Sequence, residues 1–304
     1  MLRALKISSN RLVDCDVSEG QVLVYISPDE TERRYLIDAL KVDEHTLHSA
    51  LDPDEQSRLE FEPEHVAVIF KQPKNYSSED NYVFRVASTG LFLFKDRLVI
   101  VAADDLPLFE GRPFTRLQSL PELMLKIIYR SVFHFVGHLK TINMISSELE
   151  QQVNTSMENR HLFSLFTLEK SLVFYLNAIN ANAKMIERIK NNAAKIGFAP
   201  ESLELLDDLT IENTQCYDQA TIYSNILSSL MDARASIVSN NLNTLMKTLT
   251  IITIGIMVPT LVVSAFSMNV EFPLRTHPHA FWFILALAGV SVTSLILFFR
   301  WKRW

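Results

Sequence analysis

The sequence predicts a membrane protein in three parts: an N-terminal α/β cytoplasmic domain, a stalk of long helices, and two C-terminal transmembrane helices. Three observations carry this reading. Residues 248–269 and 280–299 contain no charged side chain, and each run is about long enough to cross a ~30 Å hydrocarbon core as a helix. Between residues 122 and 200 there is no internal proline and glycine occurs only at Gly137 and Gly197, as long helices require. Before Pro121 the chain breaks into short apolar runs separated by turn residues. The expected boundaries are 1–117 for the α/β domain, 118–246 for the stalk, 247–269 and 280–300 for the spans, 270–279 for the outer loop and 301–304 for a basic tail.

In the first part, residues 22–26, 66–70, 82–86, 91–94 and 98–101 are rich in β-branched and aromatic side chains and read as strands. Residues 31–40 and 43–51 read as helices, Asp52-Pro53-Asp54 as a turn, and Lys95-Asp96 as a hairpin turn. In the second part, Leu139, Ile142, Ile145, Leu149 and Val153 form an apolar stripe at helical spacing. Asn154-Thr155-Ser156 marks a break, and Gly197 with Pro200 ends a second helix. A third helix begins near Glu201 and meets no breaker before Pro259, so it runs from the soluble part into the first span. A helix of that length cannot bury its own surface, which implies a bundle, most simply of identical copies.

Charge sets the orientation. Lys247 precedes the first span and Arg300, Lys302 and Arg303 follow the second, whereas the loop offers Glu271, Arg275, His277 and His279. Basic flanks place both termini on the cytoplasmic side. Trp282, at one end of the second span, and Trp301 with Trp304, at the other, suit the two interfaces. No signal peptide is expected from the first residues. Cys15 and Cys216, the two cysteines, are far apart and read as reduced thiols.

One face of the first span is unusual for lipid. Asn243, Met246, Thr250, Thr253, Met257, Thr260 and Ser264 recur at steps of three and four, a repeat near 3.5 that keeps them on one side of a left-handed bundle, with Leu249 beside them. Two readings stand: hydroxyl-mediated helix packing, or the lining of a narrow pore formed by several copies, with methionines as apolar constrictions that block ions by dewetting. Asn269 at the outer end is either a helix C-cap or part of a ring of amides that hydrogen-bonds the water shell of a cation.

The segment 239–252 (SNNLNTLMKTLTII), Met257, Pro259 and the tripeptide Ser267-Met268-Asn269 resemble the CorA family of divalent-cation transporters, which carries Gly-Met-Asn at that place. The tail 300–304 and the segment 51–60 (LDPDEQSRLE) are similar to the family as well, so the resemblance covers essentially the whole chain. It implies a homopentameric funnel in the cytoplasmic (inner) membrane, with Ser267, Met268 and Asn269 in the selectivity ring. Asn243, Met246, Leu249 and Met257 match the family's inner polar ring and hydrophobic gate. The implied function is magnesium uptake, with cobalt and nickel as further substrates, gated by motion of the cytoplasmic domains. Asp208 matches an acid that helps bind a regulatory ion between subunits; Ser49 stands where the second acid is expected, so either Asp52 or Asp54 takes that part or the site is incomplete and magnesium gating is weak or absent. Departure from Gly-Met-Asn at Ser267 also keeps open a zinc transporter of the same fold, perhaps proton-coupled, with His277 and His279 in the loop, or a membrane scaffold or ion sensor that moves nothing.

Other chemistry is thinly represented. Glu271 alone supplies acid to the outer loop and faces Arg275. The seven glycines include no phosphate loop, and no nucleophile has a placed base, so no enzyme and no cofactor beyond the transported ion is expected. His45 with His48, and His134 with His138, have metal-like spacing without further ligands and read as surface or packing residues. A net charge of −6 with no dense basic run excludes nucleic acid as the expected partner, leaving other copies of the chain, the lipid bilayer and divalent cations.

Overall fold

The computed structural model describes residues 1–105, 108–109, 114, 116–155, 159–268 and 277–302. The chain divides into two compact units, Met1–Met231 and Asp232–Trp304.

The first unit is built on one mixed sheet of seven strands: β1 (Leu2–Ser8), β2 (Arg11–Asp14), β3 (Val22–Ile26), β4 (Arg58–Phe61), β5 (Val66–Pro73), β6 (Val86–Leu93) and β7 (Leu98–Ala102). Their order is β2-β1-β3-β7-β6-β5-β4. Every pairing is antiparallel except β3 with β7, which pair in parallel with Val22 opposite Leu98. Central strands are apolar on both faces because both are covered. Leu23, Tyr25, Ile69, Val99 and Val101 point to one core, closed by α1 (Glu30–Asp38) and α2 (Glu44–Leu51) through Leu36 and Leu47. Val22, Val24, Val68, Leu98 and Ile100 point to the other, closed by the long helices α3 (Leu120–Thr155), α4 (Asn159–Asn191) and the first part of α6 (Pro200–Phe266). The α/β layer and the long helices therefore share one core.

Local signals set the element ends. Asp29 caps α1, accepting from Glu32 N at 2.8 Å while the Glu32 carboxylate accepts from Asp29 N at 3.0 Å, a reciprocal capping box. Asp43 caps α2 through Thr46 N at 2.9 Å. α2 presses so closely on β6 that a Cβ at Gly90 would stand 2.6 Å from that of Ala50, so only glycine fits there. Gly197, at φ 88°, ends the short α5 (Ala193–Ile196) in the left-handed conformation.

Two features depart from the sequence expectations. Residues 82–85 are not a strand: Asn81 and Tyr82 adopt positive φ (49° and 68°), which turns the chain before β6 starts at Val86. The Phe84 N–H donates instead to Ser171 Oγ on α4, at 3.1 Å. Strand β1 and the two edge strands β2 and β4 add to the expected set; their alternation of apolar and charged residues is a weak signal.

α6 is one helix of 67 residues, about 100 Å long at ~1.5 Å per residue. Up to Leu227 it turns Ser202, Leu206, Leu209, Asn213, Cys216 and Ala220 into the first unit's core, again at alternating steps of four and three. No residue from 228 to 268 is buried within the chain. The second unit holds the rest of α6 and α7 (Ala280–Trp301). Among the described residues, three helices are long and apolar enough to cross a membrane: Arg160–Asn191, α6 and α7. The apolar window of the first is 39% buried inside the α/β unit, whereas those of α6 and α7 are 0% and 6% buried. Burial distinguishes a core helix from two helices whose apolar surface the chain leaves uncovered.

Candidate ion path

Asn243, Met246, Thr250, Thr253, Met257, Thr260 and Ser264 lie on α6 within an arc of about 100°, with Leu249 at its edge. All eight are exposed, Met246, Leu249 and Met257 to 62%, 59% and 62%. A second stripe, Ile251, Ile254, Gly255, Val258 and Val262, is partly covered and centred about 130° away. α7 has a matching covered stripe at Ile284, Ala288, Ser291 and Leu295, with Ala288 only 8% exposed. The covered stripe and the polar stripe therefore occupy different sides of α6.

The hydroxyls on that stripe are oriented by their own helix. Thr250 Oγ1 donates to Met246 O at 2.8 Å, Thr253 Oγ1 to Leu249 O at 2.8 Å, and Thr260 Oγ1 to Ile256 O at 2.6 Å. With the proton so engaged, each oxygen presents lone pairs outward. The surface is therefore a ladder of acceptors, separated by the thioethers of Met246 and Met257 and the isobutyl group of Leu249. Acceptors without charge suit the water shell of a cation better than a bare ion.

Pro259 stands inside the helix and has no N–H for the carbonyl of Gly255, one turn earlier. Glycine at that place removes side-chain bulk where the proline ring crowds the preceding turn.

At the outer end, Ser267 N donates to Val263 O at 3.2 Å and Ser264 O at 3.1 Å, and its hydroxyl donates to Ser264 O at 2.8 Å. Ser267 is not among the positive-φ residues. The Ser267 Cβ thus fits an ordinary helical turn. Met268 is 60% exposed. Asn269, Glu271 and Arg275 lie outside the described residues. Beyond them, His277 and His279 have ring centroids 6.0 Å apart, and His277 Nδ1 accepts from His279 N at 3.3 Å.

The first unit carries the two acids implied as a regulatory site. Asp208 is exposed on α6. Asp52 follows α2, and its carboxylate accepts from Asp54 N at 2.9 Å. Neither forms an ion pair among the described residues, and no group of three His, Cys, Asp or Glu side chains that could hold a metal occurs there. Ser49 is 3% exposed and accepts from Arg58 Nη2 at 2.8 Å. The same guanidinium donates to Glu55 at 2.7 Å and Glu60 at 2.6 Å. Where the resemblance expects an acid, a fixed cation occupies the neighbourhood; sequence reasoning missed Arg58 because the residues it joins lie on α2, β4 and the turn between them.

His134 and His138 are not a metal pair. Their rings pack at 4.5 Å, and His138 Nδ1 is 2.7 Å from Tyr175 Oη. Burial pushes both imidazoles down to about 4, so they are neutral at pH 7. Burial also pushes the Cys216 thiol up to about 12, which keeps it protonated.

Comparison with known proteins agrees with this layout. The family described as CorA-like Mg2+ transporter protein matches residues 23–303. The cobalt/magnesium transport protein CorA of Methanocaldococcus jannaschii is 23% identical over 288 residues, covering 91% of this chain and 89% of that protein. The complete structure of the CorA magnesium transporter from the same organism superposes with a TM-score of 0.80 at 21% identity, over 99% of this chain and 97% of that one. The cytoplasmic domain of ZntB from Vibrio parahaemolyticus superposes with a TM-score of 0.60 at 13% identity, over 78% of this chain and 98% of that one. These likenesses establish the α/β unit, the long helix and the two C-terminal apolar helices as one known arrangement.

Proposed function

Because the chain belongs to the family of CorA-like Mg2+ transporters, we propose that it carries hydrated magnesium, and with it cobalt and nickel, into the cytosol through a pore shared by five copies. The observation that carries this reading is the acceptor stripe of α6. It runs from Asn243 to Ser264 on one side of the helix and is exposed along its whole length. Hydrocarbon offers nothing to those oxygens, whereas a water-filled path between copies hydrates them. α6 and α7 cross the inner membrane once each, with both termini in the cytosol because Lys247, Arg300 and Lys302 flank the spans there.

Each group has a part in this reading. The Asn269 amides, with Ser267 and Met268, form an outer ring that hydrogen-bonds the water shell and spares magnesium its costly dehydration. Thr260, Thr253 and Thr250 accept from that shell along the path, as does Ser264 above them. Met257, Leu249 and Met246 close it by dewetting when the helices approach, and Asn243 rewets the inner mouth. Glu271 adds a ring of carboxylates whose pull on cations Arg275 offsets. The regulatory ion sits between copies, held by Asp208 of one and Asp52 of the next; both carboxylates are exposed and free of ion pairs among the described residues. Its loss loosens the cytoplasmic assembly and opens the gate.

The deciding experiment is uptake by proteoliposomes of magnesium, cobalt, nickel and zinc, each with and without an inward proton gradient. Magnesium, cobalt and nickel enter without the gradient, and Asn269→Ala abolishes uptake while the oligomer stays assembled. Unchanged flux in that variant removes Asn269 from selectivity, and absence of flux for every metal removes transport altogether. A second reading, proton-coupled zinc transport, draws on Ser267 and on the adjacent His277 and His279 rings. Zinc uptake that needs the proton gradient, with no magnesium uptake, selects it.

A further inference from the structure

The first unit contains a cavity of about 630 Å³ that has no part in the ion path. It lies between α4 and the edge of the sheet where β5 and β6 end, and the turn after α2 closes it. Hydrogen bonds fix which groups stand at each end. Ser171 of α4 accepts from Phe84 N, so Thr167, one turn away, and Lys170, its neighbour in the chain, lie at the end of the cavity that holds Phe84 and Arg85. Lys74 N donates to Arg85 O at 2.9 Å, which brings Lys74 to the same end. One turn past Ala178, Asn182 bonds the main chain of Lys71 and accepts from Ser57 Oγ, so Asn177 and Ala181 stand at the other end with Asp54 and Gln56.

The cavity is therefore polarised. Lys74, Arg85 and Lys170, from three different segments, line one end, whereas Lys71, toward the other, has its ammonium held by Pro53 O and Ser88 Oγ. Lys74 pairs with Asp104 at 2.7 Å, whereas Arg85 and Lys170 are exposed and form no ion pair among the described residues. Phe166 and Phe174 of α4, 54% and 53% exposed, offer aromatic faces along the wall. The far end offers the amides of Gln56 and Asn177 and the carboxylate of Asp54. Of the two acids in the lining, Glu55 is already held by Arg58 at 2.7 Å, so uncompensated positive charge remains.

We propose that this cavity binds a nucleoside phosphate, with the phosphates on Arg85, Lys170 and Lys74 and the base against Phe166 and Phe174. Cations converging from separate elements suit a chain of phosphates better than a single carboxylate. The aromatic wall suits a flat base, whose polar edge finds the amides and Asp54 at the far end. The volume lies in the range of pockets for ligands of this size. The site belongs to the first unit and does not rest on the transport reading.

The test is equilibrium dialysis of the detergent-solubilised full-length protein against labelled ATP, with EDTA present to keep metals from the nucleotide. Saturable binding is expected, and inorganic triphosphate alone binds at least about tenfold more weakly because it forfeits the aromatic wall. The double variant Arg85→Ser/Lys170→Ser weakens ATP by at least about tenfold, and Ala181→Trp, which fills the far end, does so with every cation intact. The melting midpoint of each unliganded variant shows that it is folded. Absence of saturable ATP binding to the unaltered protein overturns the proposal, including the case in which a neighbouring copy covers the cavity. So does triphosphate binding as tightly as ATP, or ATP binding that neither variant changes.

Discussion

The carboxamide of Asn182 grips the main chain of Lys71 from both sides: Lys71 N donates to Oδ1 and Asn182 Nδ2 donates to Lys71 O, each at 2.8 Å. Ser57 Oγ donates to the same Oδ1 at 2.8 Å, and Ser131 Oγ of α3 donates to Lys71 O at 2.9 Å. Asn182 is fully buried, so these bonds fasten the long helices to the sheet without competition from water. On the same residue the ammonium is satisfied by Pro53 O and Ser88 Oγ, while Ser88 Oγ donates to Asp52 O. One strand residue thus anchors α3, α4 and the turn that carries Asp52.

Replacing Asn182 with leucine leaves a buried N–H unpaired and weakens the hold on the Lys71 carbonyl, at about 1–3 kcal/mol for each group left unsatisfied. The melting midpoint of the first unit falls by several degrees, read by circular dichroism. An unchanged midpoint shows that water enters and replaces the amide.

Thr253→Val/Thr260→Val keeps the shape of the stripe and deletes two acceptors per copy. Each lost hydrogen bond to the water shell is worth about 0.5–1.5 kcal/mol. Magnesium flux into liposomes falls at least several-fold with assembly unaffected. Full flux in this variant means that the threonines face helices, not water.

On the proposed gate, Leu249→Asn wets the path below Thr250. The dewetting barrier is lost and uptake becomes independent of cytosolic magnesium. If uptake instead falls, Leu249 packs between helices and is no gate.

On the proposed regulatory site, magnesium is expected to protect the assembled protein from protease. Asp208→Asn removes one carboxylate of each pair and abolishes that protection at millimolar magnesium. Undiminished protection places any regulatory ion elsewhere, in keeping with the Arg58 guanidinium beside Ser49.

His134 and His138 give the first unit an acid-sensitive core. Their pKa values are depressed by burial to about 4 from an ordinary 6.5, so the unfolded chain binds protons that the folded chain refuses. The resulting stability is complete above pH ~6.5 and is lost progressively as pH falls toward ~4. A thermal-melt series across that window shows a falling midpoint, and His134→Leu/His138→Phe flattens it. An equal slope in the variant assigns the acid sensitivity to other groups.

Much of the fold was legible in the sequence because its strongest signals are local. Uncharged runs at 248–269 and 280–299, the absence of helix breakers between 122 and 200, and Val/Ile-rich strands each act within one element. The 3.5-residue recurrence of the polar stripe is likewise read along a single helix. Residues 82–85 failed as a strand because left-handed backbone at Asn81 and Tyr82, with Ser171 taking the Phe84 N–H, outweighed β propensity.

The sequence by itself determined which side chains share a face of α6, since helical pitch is fixed by backbone geometry and needs no partner. Only the tertiary structure decided what each face meets. One side of α6 is partly covered while the acceptors stay exposed on another, Arg58 stands beside Ser49, and basic residues from separate segments line one cavity. These are contacts between segments far apart in the chain. Packing selects them, and no local periodicity encodes them.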